Sequence, residues 1–134
     1  MRTYLIAYAV ALVVMLACDM VWLSTVGANV YRPRLGDLLL DKPVLWAAAL
    51  FYLVYIMGVM IFAVAPALRD ESWLRALVLG ALFGAFAYAT YDLTNLATVR
   101  GWSALVSALD IAWGAGLTGI AATAAYVVAQ RFLP

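Results

Sequence analysis

The chain has no histidine, a single cysteine and few charges. Each shortage excludes something. Without histidine it lacks the usual general base and the commonest ligand for zinc, copper and haem. Cys18, standing alone, excludes an intramolecular disulfide and any multi-cysteine metal site. Charged residues make up 11% of the chain, against about a quarter in soluble domains. The net charge of +1 offers no electrostatic footprint for nucleic acid. No GxSxG or HExxH motif is present.

What is present is apolar: 69% hydrophobic residues and a mean hydropathy of +1.03. The expectation is a single all-α transmembrane domain covering residues 1–134. A span needs about 20 mostly apolar residues. Four stretches qualify, at about 3–28, 44–66, 73–99 and 102–129. The short breaks "RDES" and "RG" force neighbouring helices to be antiparallel, giving an up-down four-transmembrane-helix bundle. Trp46, Trp73 and Trp102 lie near span ends, where interfacial aromatics belong. In the first connection, "RLGDLLLDK" mixes charge with leucine and suggests a short interfacial helix on the membrane surface. "MLAC" resembles a lipobox, but the apolar run continues past Cys18 to Val26, so a retained first helix is expected.

Basic residues do not set the orientation. Arg2, Arg69, Arg75 and Arg131 fall on one side, and Arg32, Arg34, Lys42 and Arg100 on the other, four against four. Insertion in both orientations with antiparallel pairing is one way to read that tie. Dominance of the first loop or of the N-terminus is the simpler one. A weak repeat relates "DMVWLSTV" (Asp19 to Val26) to "DLTNLATV" (Asp92 to Val99), and "DIAW" (Asp110 to Trp113) echoes Asp19 and Trp22.

Depth is the informative quantity. At about 1.5 Å per residue, Asp92 lies roughly 12 Å inside the face marked by Arg100. Asp110 lies roughly 13–14 Å from that face, and Asp19 roughly 15 Å from Asn29 on the same side. Three carboxyls on three helices therefore share one layer. Helical spacing groups Tyr88, Asp92 and Asn95 on one face of the third span, and Ser107, Asp110 and Gly114 on one face of the fourth. An aspartate facing lipid at mid-depth costs several kcal/mol, so these faces should point into the bundle. Close approach there is helped by small residues, including the GxxxG pair Gly80 and Gly84.

No lysine, arginine or histidine lies within the apolar cores of the spans to balance the layer. Arg100 at the rim is the nearest fixed positive charge. Otherwise the carboxyls stay protonated, or a cation neutralises them. Asp19, Asp92 and Asp110, with Asn95, are hard oxygen ligands, suited to Na⁺, Mg²⁺, Ca²⁺ or Mn²⁺ if a metal binds at all. Trp22 and Trp113 have N–H groups to offer the layer, though tryptophan also simply fills bundle cores. The row Thr90, Thr94, Thr98 is expected to bond back to its own helix. A single intramembrane aspartate is often just an interhelical hydrogen bond. Three at one depth weigh towards function.

The strings "YATYDLTNLATVRGW" (Tyr88 to Trp102), "DMVWL" (Asp19 to Leu23), "LFYLVYIMG" (Leu50 to Gly58) and "LDIAWG" (Leu109 to Gly114) carry a resemblance. Over essentially the whole chain it resembles a bacterial family of small inner-membrane proteins catalogued as domain-of-unknown-function family 2177. The resemblance implies a multi-pass protein of the bacterial inner membrane. It implies no reaction and leaves any cofactor unknown. Some relatives are encoded beside lipid-modifying enzymes.

Three functions compete. The first is a binder or carrier of a proton, a cation or a small cationic or amphipathic solute. Its ligand would meet Asp19, Trp22, Tyr88, Asp92, Asn95, Arg100, Ser107, Asp110 and Trp113, and four helices would need a homodimer to form a pathway. The second is a lipid-modifying enzyme or its accessory subunit, with Asp92 and Asp110 as the acid–base pair. The third is a structural or assembly subunit of a larger membrane complex, with the aspartates as an internal lock.

Overall fold

The computed structural model describes residues 1–133. Among these residues all regular structure is helical. Four helices are long and apolar enough to cross a membrane: α1 (Arg2–Leu38), α2 (Leu45–Arg69), α3 (Trp73–Thr98) and α4 (Ala104–Phe132). They form a four-helix bundle. The side-chain oxygens of Ser72 and Ser103 cap α3 and α4, accepting from the backbone N–H groups of Arg75 and Val106. The tight turn between these helices passes through Gly101 at φ +77°, a left-handed conformation that glycine adopts without penalty.

α3 and α4 make the most extensive helix contact, and α1 lies along α4. Small residues set the α3–α4 distance. A side chain at Gly80 would press on Ala122 and on the Thr118 carbonyl at 2.8 Å, and one at Gly84 would run into the backbone of Gly114. Here the GxxxG pair packs backbone on backbone. α2 is held differently. Its second half meets α1, α3 and α4, whereas its first half stands off from α3.

The first helix runs further than the sequence suggests. It continues through "NVYRPRL" to Leu38, so the connection shrinks to residues 39–44. The leucine-rich charged segment forms no separate surface helix; its first residues are the end of α1. The physical reason is a change in backbone winding. Over Leu23–Tyr31, and again over Met60–Val64 in α2, the helix opens to i→i+5 bonding. Each wide stretch ends two residues before a proline, Pro33 or Pro66. Proline has no N–H to donate and its ring crowds the carbonyl four residues back. A wide turn ahead of it relieves both problems without ending the helix.

The packing divides along the bundle axis. Towards the termini the core is small and dry: Ala7, Ala11, Ala63, Ala67, Ala121, Ala122, Ala125 and Ala129 are fully buried around Met15, Ile56, Val59 and Leu117. Towards Arg100 the first half of α2 stands off from α3, and polar and aromatic side chains line the gap.

Candidate functional site

The wide turn in α1 has a side-chain consequence. Tyr31 lies nine residues beyond Trp22. In an α-helix that is about two and a half turns, which would place the two on opposite faces. With more residues per turn, nine come close to two whole turns. The Trp22 Nε1–H accordingly donates to the Tyr31 hydroxyl at 3.1 Å, and the Tyr31 O–H donates to Asp110 Oδ1 at 2.9 Å.

A second set of bonds converges on Asp19, which is only 7% exposed. The Tyr52 O–H donates to its Oδ2 at 2.7 Å, and the Trp113 Nε1–H donates to its Oδ1 at 3.0 Å. Hydrogen bonds to a charged group contribute roughly 1.5–3 kcal/mol each. Two of them offset the roughly 2.5–3.5 kcal/mol that an aspartate costs at the centre of a spanning helix. The rings of Trp22 and Trp113 stack with centroids 4.3 Å apart and planes within 5°, tying the two sets together.

Between these groups lies a cavity of about 390 Å³. Asp19 and Asp110 are its acidic lining groups, and Trp22, Phe51, Tyr52, Tyr55, Tyr88, Tyr91 and Trp113 supply aromatic walls. Tyr55 closes the inner end. Its hydroxyl shares a 2.8 Å hydrogen bond with Thr118, and its ring meets Tyr88 edge-on at 6.0 Å. The outer margin runs past Phe51 and Tyr91, both exposed, where the first half of α2 stands off from α3. Phe51 is six residues from the start of α2 and Tyr91 seven from the end of α3, roughly 9–10 Å into each helix. The gap thus opens sideways, at the level of the apolar belt.

Asp92 is placed otherwise. It is 0% exposed and does not line the cavity. It is sealed between α3 and α4, where Ser107 donates to its backbone carbonyl at 3.5 Å and accepts from Trp102 Nε1 at 3.1 Å. No hydrogen-bond donor meets either carboxyl oxygen of Asp92. The acidic group facing it is the carboxyl of Asp110.

Of the residues that depth and periodicity single out, Asp19, Trp22, Tyr88, Asp110 and Trp113 come together around the cavity. Asp92 and Ser107 stand behind it. Asn95 is half-buried beside Tyr91, outside the lining. Arg100 does not reach inward. It is exposed and borders a separate hollow of about 240 Å³ with Arg34 and Asp37. The ion pair among the described residues is Arg75–Asp70, at 2.6 Å and far from the carboxyl layer. A three-aspartate metal centre is not formed: among the described residues no three acidic or sulfur ligands group closely enough to hold a metal ion. Asp19 lies across the cavity, bound to its own donors, and leaves Asp92 and Asp110 as a pair. The threonine row does bond back along α3, with Thr90 donating to the Phe86 carbonyl and Thr98 to that of Thr94, both at 2.7 Å.

Sequence reasoning missed Tyr31, Phe51, Tyr52, Tyr55 and Tyr91. Tyr52 and Tyr55 were within reach of it. They are three residues apart on one helical face, and depth counted from the start of α2 places them level with Asp19. Tyr31 was not, because it joins the site only through the wide turn.

No curated protein and no solved structure matches the chain. A family model does, over residues 4–127, and the chain therefore belongs to the family described as "Predicted membrane protein (DUF2177)".

Proposed function

We propose that this protein binds a small organic or amphipathic cation within the membrane, in bacteria the inner membrane. The observation that carries this reading is the cavity: two carboxyls face a space walled by seven aromatic rings, with no arginine or lysine in the lining. Aromatic faces attract cations, and a desolvated cation–π contact contributes about 2 kcal/mol or more. The volume suits a compact molecule. The sideways gap between α2 and α3 favours a ligand that partitions into lipid before it binds.

A catalytic reading is less well supported. The cavity is lined by no serine, threonine or cysteine, and the Tyr52 hydroxyl is committed to Asp19. Asp92, one half of the acid–base pair such a reading needs, is walled off from the space a substrate would occupy.

The test is binding of tetraphenylphosphonium to the detergent-purified protein, followed by calorimetry and by quenching of tryptophan fluorescence. Saturable binding is expected, with a neutral aromatic compound of similar size binding far more weakly. Asp110→Asn should lower affinity by about thirtyfold or more, as removing one partner of a buried charge pair does. Equal affinity for the cation and the neutral compound, or an unchanged affinity in both Asp19→Asn and Asp110→Asn, sinks the reading.

A further inference from the structure

The Asp92–Asp110 contact asks for a proton. Asp92 is fully buried, and neither of its carboxyl oxygens meets a donor. Asp110, which faces it, already accepts from the Tyr31 hydroxyl on Oδ1. Two carboxylates offer each other only acceptors, so as a fully ionised pair they would repel and leave Asp92 unsatisfied. One proton between them turns one carboxyl into a donor and removes both problems. The rest of the surroundings supplies no alternative. From α1 the pair faces Asp19 and the Tyr31 hydroxyl, from α3 Tyr88 and Tyr91, and from the turn before α4 Trp102, whose N–H donates to Ser107 at 3.1 Å rather than to the Asp92 carboxyl. α2 contributes Tyr52, which is bonded to Asp19. None of these groups is a cation.

The pair also spans a boundary. Asp110 lines the cavity and Asp92 is sealed behind it. We propose that Asp92 and Asp110 hold one proton between them and that a cation entering the cavity displaces it, so that the site exchanges one for the other. The charge balances: the ligand brings one positive charge to Asp110, and one proton leaves the pair for water. The second half of this proposal rests on the cation reading above; the first half does not.

Two measurements separate the halves. Infrared difference spectra between neutral and high pH should show a carboxylic-acid C=O band in the ligand-free protein. The band should be absent in Asp92→Asn, whose side-chain amide keeps a donor for Asp110 and so preserves the packing. No band in the native protein, or an undiminished band in Asp92→Asn, overturns the shared proton. Calorimetry with tetraphenylphosphonium in two buffers of different ionisation enthalpy then counts protons. The native protein should release about one proton per cation, with affinity rising about tenfold per pH unit while the pair is still protonated. Asp92→Asn should release none, and its affinity should change less than about twofold per pH unit. If the band is present but no cation binds, the cation reading fails and the shared proton stands. If the cation binds without proton release, the exchange fails and the cation reading stands.

Discussion

The two halves of this bundle, built from the same four helices, solve opposite problems. Towards the termini the helices are close and the core between them is rich in alanine, with no buried carboxyl. Towards Arg100 the helices part around a cavity, and every buried acid in the spans is there: Asp19, Asp92 and the half-buried Asp110. Lipid tails are as apolar as leucine, so hydrophobicity alone does not hold spanning helices together. Contact density does so in the dry half. That leaves the other half free to keep a hollow and to carry acids that a lipid-facing helix would not tolerate. The site therefore rests both on its own hydrogen bonds and on close packing one or two turns away.

The largest effect is expected from crowding the alanine-rich half. Gly84→Val drives a branched side chain into the Gly114 backbone and forces α3 and α4 apart. Overpacking of this kind costs about 3 kcal/mol or more. The expected outcome is loss of monodisperse protein in detergent and a markedly lower unfolding midpoint, although no residue of the cavity has changed. Unchanged stability would mean that the α3–α4 contact is not what holds the site.

A smaller effect compares the two wide turns. Pro33→Ala restores an N–H and lets the end of α1 return to i→i+4 bonding. Tyr31 then rotates away from Trp22 and Asp110. Of the two bonds lost, the one to Asp110 bears on the ligand; at about 1 kcal/mol its loss should lower cation affinity about fivefold. The matching change in the dry half, Pro66→Ala, should leave affinity within about twofold. Equal effects from both would remove the link between the α1 winding and the site. The smallest effect is expected at Thr94, whose hydroxyl bonds to the Thr90 carbonyl of its own helix. Thr94→Val should shift stability by less than about 0.5 kcal/mol and leave binding unchanged. A larger loss in thermal unfolding would assign Thr94 a partner outside α3.

Much of this architecture is legible in the sequence. Apolar runs of spanning length, broken by "RDES" and "RG", place four helices and their alternating direction, because a bilayer admits few other ways to satisfy the backbone. Depth counting brings Asp19, Asp92 and Asp110 to one level. It treats every helix as a straight ruler, however, and α1 is not one. Hydropathy ends the first span near residue 28, yet the chain stays helical through "NVYRPRL" by widening its turns. Level also says nothing about facing. Asp19 and Asp110 look into the cavity, while Asp92, at the same depth, looks between two helices.

What the sequence determined by itself is the helix count, the membrane setting and the layer in which the acids lie, since each follows from hydropathy and a fixed rise per residue. Only the tertiary structure decided which acids share a cavity, which two face each other, and that Tyr31 and Tyr52 supply their donors. Those facts depend on helix rotation and separation. Both follow from glycine contacts between α3 and α4 and from winding changes before two prolines; spacing marks the glycines and prolines, but not how far the helices part or turn around them.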